Sequence, residues 1–296
     1  MPIRTLRPGQ TCQIWTVDLA GEDPVRWLET SRCRLEAPNW LSSGDALLLN
    51  GDGLLWRLSL SADPELEPVQ ITGVPQLNND HVLDLDGEHV YLSGYDRQLY
   101  RAPVRGGAAE LVTRNSVPEG LQHYLHGVHP SGDRLALTGL LPAPDGGQPE
   151  ADIYTMSATG GDYRRLTAGP GHSDGPEYSP DGEWVYFNTE SFGGQAQIAR
   201  IRPDGSGLEQ LTFDEHSNWF PHLSPNGRWA VYLAFPPGTE GHPPDVWVEV
   251  KMVALDDWSS ARTVVRVFGG QGTLNTPSWA PDSSAFAYVS YSEPAR

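Results

Sequence analysis

Gly175–Asn188 reads GPEYSPDGEWVYFN. An apolar side chain, Tyr178, precedes a Ser-Pro-Asp-Gly turn whose last residue, Gly182, supplies the positive φ of a tight hairpin. Three apolar residues, Val185–Phe187, follow without a break, as a strand covered on both faces requires. The pattern recurs clearly in FPHLSPNGRWAVYL from Phe220 and TPSWAPDSSAFAYV from Thr276. It recurs more weakly in APNWLSSGDALLLN from Ala37, DHVLDLDGEHVYLS from Asp80 and LHGVHPSGDRLALT from Leu125. Aligned on the turn residue, the copies fall at Gly44, Gly87, Gly132, Gly182, Gly227 and Ser283, at spacings of 43, 45, 50, 45 and 56. Four residues before each turn stands an apolar side chain: Trp40, Leu83, Val128, Tyr178, Leu223 and Trp279. A fixed period in this range marks an array of supersecondary units.

A second hairpin follows each of the first five, as in DRQLYRAPVRGGAAELVT from Asp96, ADIYTMSATGGDYRRLT from Ala151 and QAQIARIRPDGSGLEQLT from Gln195. Two hairpins make a four-stranded sheet that cannot bury both of its apolar faces alone, so the copies must stack around an axis. The sixth copy meets the end of the chain with no second hairpin. CQIWTVDLAGEDPVRWLE, from Cys12, has the second-hairpin pattern with no first hairpin before it. The expected fold is therefore all-β: a six-bladed β-propeller of four-stranded antiparallel blades in one domain spanning 1–296. Its last blade is expected to close two strands and two strands from the N- and C-terminal hairpins, which removes the exposed edges of an open ring.

Lys and Arg total 20 against 38 Asp and Glu, a formal charge of -18. That field repels phosphate backbones and anionic headgroups, which argues against nucleic acid and membrane surfaces as partners. Only Cys12 and Cys33 occur, with no Cys-x-x-Cys pair, so neither a disulfide framework nor a thiolate metal site is expected. The opening MPIRTLRPGQTCQIW lacks a signal-peptide core, and a cytoplasmic location is expected, or a periplasmic one if a leader has been removed. No nucleophile elbow, phosphate loop or dinucleotide fingerprint appears.

The SPDG turns, the Gln-apolar-aromatic opening of the second hairpin and its Leu-Thr ending resemble the repeat of TolB propellers and of dipeptidyl-peptidase-type propellers. HSDGPEYSPDG, NWFPHLSPNG and GGQGTLNTPSWAPD are similar to stand-alone TolB-like bacterial proteins. The resemblance implies the propeller strongly. It carries the role of TolB itself, a periplasmic partner of the lipoprotein Pal with an additional N-terminal domain, only weakly, because fold does not carry function.

In an antiparallel blade of strands A to D, the D-to-A and B-to-C connections open on one face of the disc. Here they are the long ones, with insertions LLPAPDGGQPEAD from Leu140 and FPPGTEGHPPD from Phe235. Binding residues concentrate on such loops. Of nine histidines, His81, His123, His126, His129, His172, His216 and His222 are assigned to the approach to strand A or to strand A itself, and His242 to an insertion on that face. Polar residues recur eight to twelve positions before the turn, including Asn78, Asn79, His172, Asp174, His216, Asn218, Gln271 and Asn275, with Tyr124, Trp219 and Phe220 offering aromatic faces. The expected site joins His126, His172, Asp174, His216, Asn218, Trp219, His222, His242, Gln271 and Asn275 around the channel mouth. Its expected occupant is a small molecule, glycan or protein segment, or channel water alone.

One alternative is a divalent metal ion on the channel axis serving a carbohydrate lyase or hydrolase, by fold-level analogy with oligogalacturonate lyase, a His-rich propeller enzyme with manganese. A protein-interaction scaffold is another. The string HYLHGVH from His123 makes no metal triad on a strand, where alternate residues point to opposite sides.

Overall fold

The computed structural model describes residues 3–143, 147 and 149–293, so residues 144–146 and 148 of the blade-three insertion lie outside the described residues. Six blade sheets follow one another along the chain, and a two-stranded parallel pairing of Ile71–Thr72 with Gly107–Ala108 joins blades one and two. Blade one contains Leu35–Trp40, Ala46–Gly51, Leu54–Ser59 and Leu66–Pro68, and blade two Leu77–Leu83, His89–Gly94, Leu99–Pro103 and Glu110–Leu111. Blade three contains Gln122–Val128, Arg134–Leu141, Glu150–Ser157 and Arg164–Arg165, and blade four Ser173–Tyr178, Val185–Thr189, Gln197–Ile201 and Glu209–Gln210. Blade five contains Ser217–Leu223, Trp229–Phe235, Pro244–Ala254 and Asp257–Gly270. All are antiparallel four-stranded sheets, and no helix occurs among the described residues.

Blade six differs. Its sheet has three strands, in the order Val25–Thr30, Cys12–Asp18, Ala285–Tyr291. The pairing runs from Cys12 opposite Tyr291 through Trp15 opposite Tyr288 to Asp18 opposite Ala285. At the innermost position only one bridge forms, between Trp279 and Phe286, where Pro277 and Pro281 remove donors on either side.

The apolar triplets explain how the sheets pack. Side chains alternate across a strand, so the middle residue faces one neighbouring blade and its flanking residues the other. Leu47 and Leu49 pack with Ile14, Leu35 and Val289, whereas Leu48 packs with Val90 and Leu92 of blade two. Val185 and Phe187 join Ala136 and Ile153 of blade three, and Tyr186 joins Ala230 and Tyr232 of blade five. Six separate cores result, one in each gap between neighbouring blades.

Strand A bulges in the same place in five blades, with register shifts between Glu36 and Asn39, Leu77 and His81, Leu125 and Gly127, Asp174 and Glu177, and Trp219 and His222. Seven residues before the turn, at the bulge, the chain is left-handed at Ala37 (φ 56°), Gly175 (φ 65°) and Phe220 (φ 55°). A Cβ at Gly175 would come within 2.8 Å of the Phe220 ring, so glycine there answers both the conformation and the close approach. Bulges of this kind re-aim side chains, and here they re-aim those at the channel mouth.

Candidate functional site

A cavity of about 590 Å³ lies at the mouth of the central channel. The position eight residues before each turn supplies its frame: Asn79, Tyr124, Asp174, Trp219 and Asn275, from blades two to six, all line it. The blade-one equivalent, Glu36, is covered by the N-terminal arm. Arg4 binds it with Nε 2.9 Å from Oε1 and Nη2 2.7 Å from Oε2, and Arg4 Nη1 donates to Gln271 Oε1 at 2.6 Å. The cavity is thus lined by every blade but the first, whose place is taken by Arg4.

Asp174 is the electrostatic centre. Its carboxylate accepts from Thr138 Oγ1 at 2.6 Å and from the Gly175 amide at 2.7 Å. Its two oxygens each stand 3.5 Å from an imidazole, His126 Nε2 on one side and His242 Nε2 on the other. Burial opposes its ionisation, but the hydrogen bonds and charges of His126 and His242 outweigh burial and hold the carboxyl well below the usual carboxylate range. Asp80, which accepts from Asn78 Nδ2 at 2.7 Å, is pushed up by burial and by the charge of Asp174, against the pull of His126. Burial alone would lower His126, yet Asp80 and Asp174 raise it. Both carboxylates therefore favour the charged form of the His126 imidazole.

Aromatic rings fix the two imidazoles. Phe220 lies nearly parallel to His126 at 5.9 Å between centroids, and His242 meets Trp219 and Phe220 edge-on at 4.4 and 5.1 Å. The left-handed Phe220, whose amide donates to Asn188 Oδ1 at 3.1 Å, is a strained residue placed where its ring orders both. Such strain is on the order of 1–2 kcal/mol.

The pH dependence follows from these directions. His126 is raised above its ordinary 6.5, so its pairing adds stability fully present below that value and lost as pH rises through the folded value. Asp174 is depressed, so its share is present above the ordinary carboxylate range and lost only in strong acid. Asp80, raised, weakens the fold as it ionises. Asp174→Asn is expected to lower the His126 titration midpoint in proton NMR and to flatten the fall in stability as pH rises above the ordinary imidazole range. An unchanged His126 midpoint would show that Asp174 does not hold the proton.

The TolB beta propeller domain model matches residues 127–240. An uncharacterized protein of Agrobacterium fabrum is 41% identical over 260 residues, 86% of this chain and 84% of that one. The chain belongs to the TolB-like β-propeller family. Among solved structures, a provisional TolB from Agrobacterium tumefaciens is 37% identical with a TM-score of 0.86, covering 97% of this chain and 100% of that one. An oligogalacturonate lyase in complex with manganese shares the fold at 14% identity and TM-score 0.57, over 90% of this chain and 73% of that one.

In this TolB-like propeller, seven residues of the expected site come together at the cavity: His126, His172, Asp174, Trp219, His242, Gln271 and Asn275. Three do not line it. His222 is buried toward blade four, with Nδ1 2.7 Å from Glu177 Oε2. Asn218 is buried too, its Nδ2 donating to Asp214 Oδ1 at 3.1 Å and Gln197 Oε1 at 3.3 Å. His216 caps the turn at Asp214, to which its amide donates at 2.9 Å. His129 ends strand A on the far side, where its ring meets Tyr178 edge-on at 4.9 Å. Sequence reasoning missed Arg4, Asp80, Tyr95, Arg97, Thr138 and Glu190 in the lining. The strand-B ends and B-to-C turns carry the signal for several of these, since both open on the cavity face; Arg4 lies in an arm outside the repeat.

Among the described residues, no group of three or more His, Cys, Asp or Glu side chains is disposed to hold a metal ion. Cys12 and Cys33 are buried free thiols, and burial pushes Cys33 up to about 11. Among the described residues, no helix is long and apolar enough to cross a membrane.

Proposed function

We propose that this TolB-like propeller binds a small polar molecule, glycan or polypeptide end in the channel-mouth cavity, as a binding protein whose ring supplies a rigid frame. The observation that carries the reading is the convergence of the turn-minus-eight side chains of five blades on one cavity of about 590 Å³. That volume lies within the usual range for ligand sites, and a mixed aromatic and hydrogen-bonding lining is their usual chemistry. The Asp174 cluster offers charged hydrogen-bond partners, while Tyr124 and Trp219 offer flat faces. Further support comes from buried polar atoms left without protein partners at the site, His126 Nδ1, His242 Nδ1, Trp219 Nε1 and Asn79 Nδ2; a bound molecule or ordered water would complete them.

The test is a binding screen of neutral and charged sugars, amino acids and tripeptides on the wild type and on His242→Ala, read by tryptophan fluorescence. One class is expected to bind at one site per chain, and His242→Ala is expected to weaken it roughly tenfold, the worth of one good polar contact. If every class fails and the variant changes only stability, the channel mouth is a hydrated part of the scaffold. A cytoplasmic setting completes the proposal, resting on the two unpaired thiols; recovery of the protein in a periplasmic fraction would replace it with the TolB-type setting.

A further inference from the structure

We propose that Arg97 is the anchor for the carboxylate of a small organic acid at the channel mouth, a refinement that rests on the binding reading above. Arg97 sits in the B-to-C turn of blade two and lines the cavity. Its backbone is left-handed, with φ 70°, a conformation uncommon for a residue with a long side chain. The turn is clamped from two sides. The Arg97 amide donates to the Gly94 carbonyl at 2.9 Å, and the Arg97 carbonyl faces the His123 amide at 3.2 Å and His123 Nδ1 at 2.8 Å. Blade three thereby holds an unfavourable backbone that delivers a guanidinium to the cavity, the kind of strain that collects at ligand clamps.

The guanidinium is uncommitted. Among the described residues it makes no hydrogen bond or ion pair, and its Cζ lies 5.5 Å from the centroid of the Tyr124 ring. The other guanidinium in the lining, Arg4, is bound to Glu36 and Gln271. The adjacent carboxylate, Asp96, is occupied by Tyr100 Oη at 2.6 Å and the Gln98 amide at 3.2 Å. Asp174 spends its charge on His126 and His242. An unpaired arginine over a tyrosine face, in a chain with nearly twice as many acidic as basic residues, is a planar fork waiting for a planar anion, which a carboxylate fits with two parallel hydrogen bonds. A single negative charge suits the site better than a phosphate dianion, because Asp80, Asp174, Glu190 and Glu240 also line the cavity and repel a second charge. Tyr95, Tyr124 and Trp219 would face the body of the acid.

The test is calorimetric titration at low salt with two matched pairs, phenylacetate against phenylacetamide and glucuronate against glucose. In at least one pair the acid is expected to bind the wild type one to one, and its neutral counterpart much more weakly. Arg97→Asn, which keeps a residue tolerant of the left-handed turn, is expected to weaken the acid roughly tenfold or more. Arg97→Lys is expected to restore part of the loss, as a point charge without the fork. Equal binding of acid and neutral partner, or binding unchanged in an Arg97→Asn protein that unfolds at the wild-type midpoint, overturns the carboxylate anchor and leaves the binding reading standing. Absence of heat with all four probes up to roughly 10 mM overturns the carboxylate anchor, whereas the binding reading falls only if every class in the wider screen above also fails.

Discussion

A chain carrying Ile14→Asp is expected to lose its cooperative fold at physiological temperature. Ile14 is fully buried, opposite Val289 on one side and Leu28 on the other, and it packs among Leu35, Leu47 and Leu49 of blade one. Losing the aliphatic side chain from such a site removes about 2–5 kcal/mol. Placing an unpaired carboxylate there adds several more, even if it is protonated instead. The sum rivals the whole stability of about 5–15 kcal/mol expected for a domain. Val25→Asp in the partner strand is the control: Val25 is 49% exposed, and the change is expected to stay within about 0.5 kcal/mol. Urea unfolding followed by circular dichroism reads both. Wild-type-like unfolding of Ile14→Asp would mean that the N-terminal strand is dispensable to the ring.

The second large effect is expected at Arg34, whose side chain is 1% exposed. Its Nε donates to Glu36 Oε1 at 2.9 Å, its Nη1 to Asp245 Oδ1 at 3.0 Å, and its Cζ lies 4.0 Å from the centre of the Tyr291 ring. Arg4 and Arg7 contact the same two carboxylates from the rim, at 2.7 and 3.1 Å. Arg34→Met keeps the volume and strips the charge, leaving Glu36 and Asp245 underpaired in a buried place. Breaking such a pair by removing one partner costs about 3–5 kcal/mol. If the loss comes from stranded carboxylates, adding Glu36→Gln and Asp245→Asn to Arg34→Met should recover much of it, a non-additivity that a mutant cycle reads directly. A triple variant no more stable than Arg34→Met would place the loss in packing against Tyr291.

The ring was legible because its units repeat the same two pieces of local physics, a tight turn that carries glycine in every copy but the last, where Ser283 stands, and an apolar triplet. Those triplets feed two cores apiece, which is why a sheet with no polar face is tolerated here. The site was legible only in part. Counting back from the turn finds Asp174, Trp219 and Asn275, since the ring places equivalent positions at equivalent depths. It does not separate them from His222, five residues before its turn, because the bulge between Trp219 and His222 redirects the chain and sends that imidazole to Glu177. Arg4 was out of reach for a different reason. It reaches the mouth through a long-range ion pair with Glu36, and no periodicity records such a contact.

The opposition of Cys12 and Tyr291 also bears on how the protein comes into being. The hairpin that begins at Cys12 must wait, unpaired along one side, until the distant strand Ala285–Tyr291 has been synthesised. Blades one to five can assemble in order as they emerge, but the last interval closes only once Ala285–Tyr291 is available, through contacts between segments far apart in the sequence. Such contacts are slow to form and leave a strand open to wrong partners meanwhile. Nascent chains of this protein are therefore the stage at which a chaperone matters most.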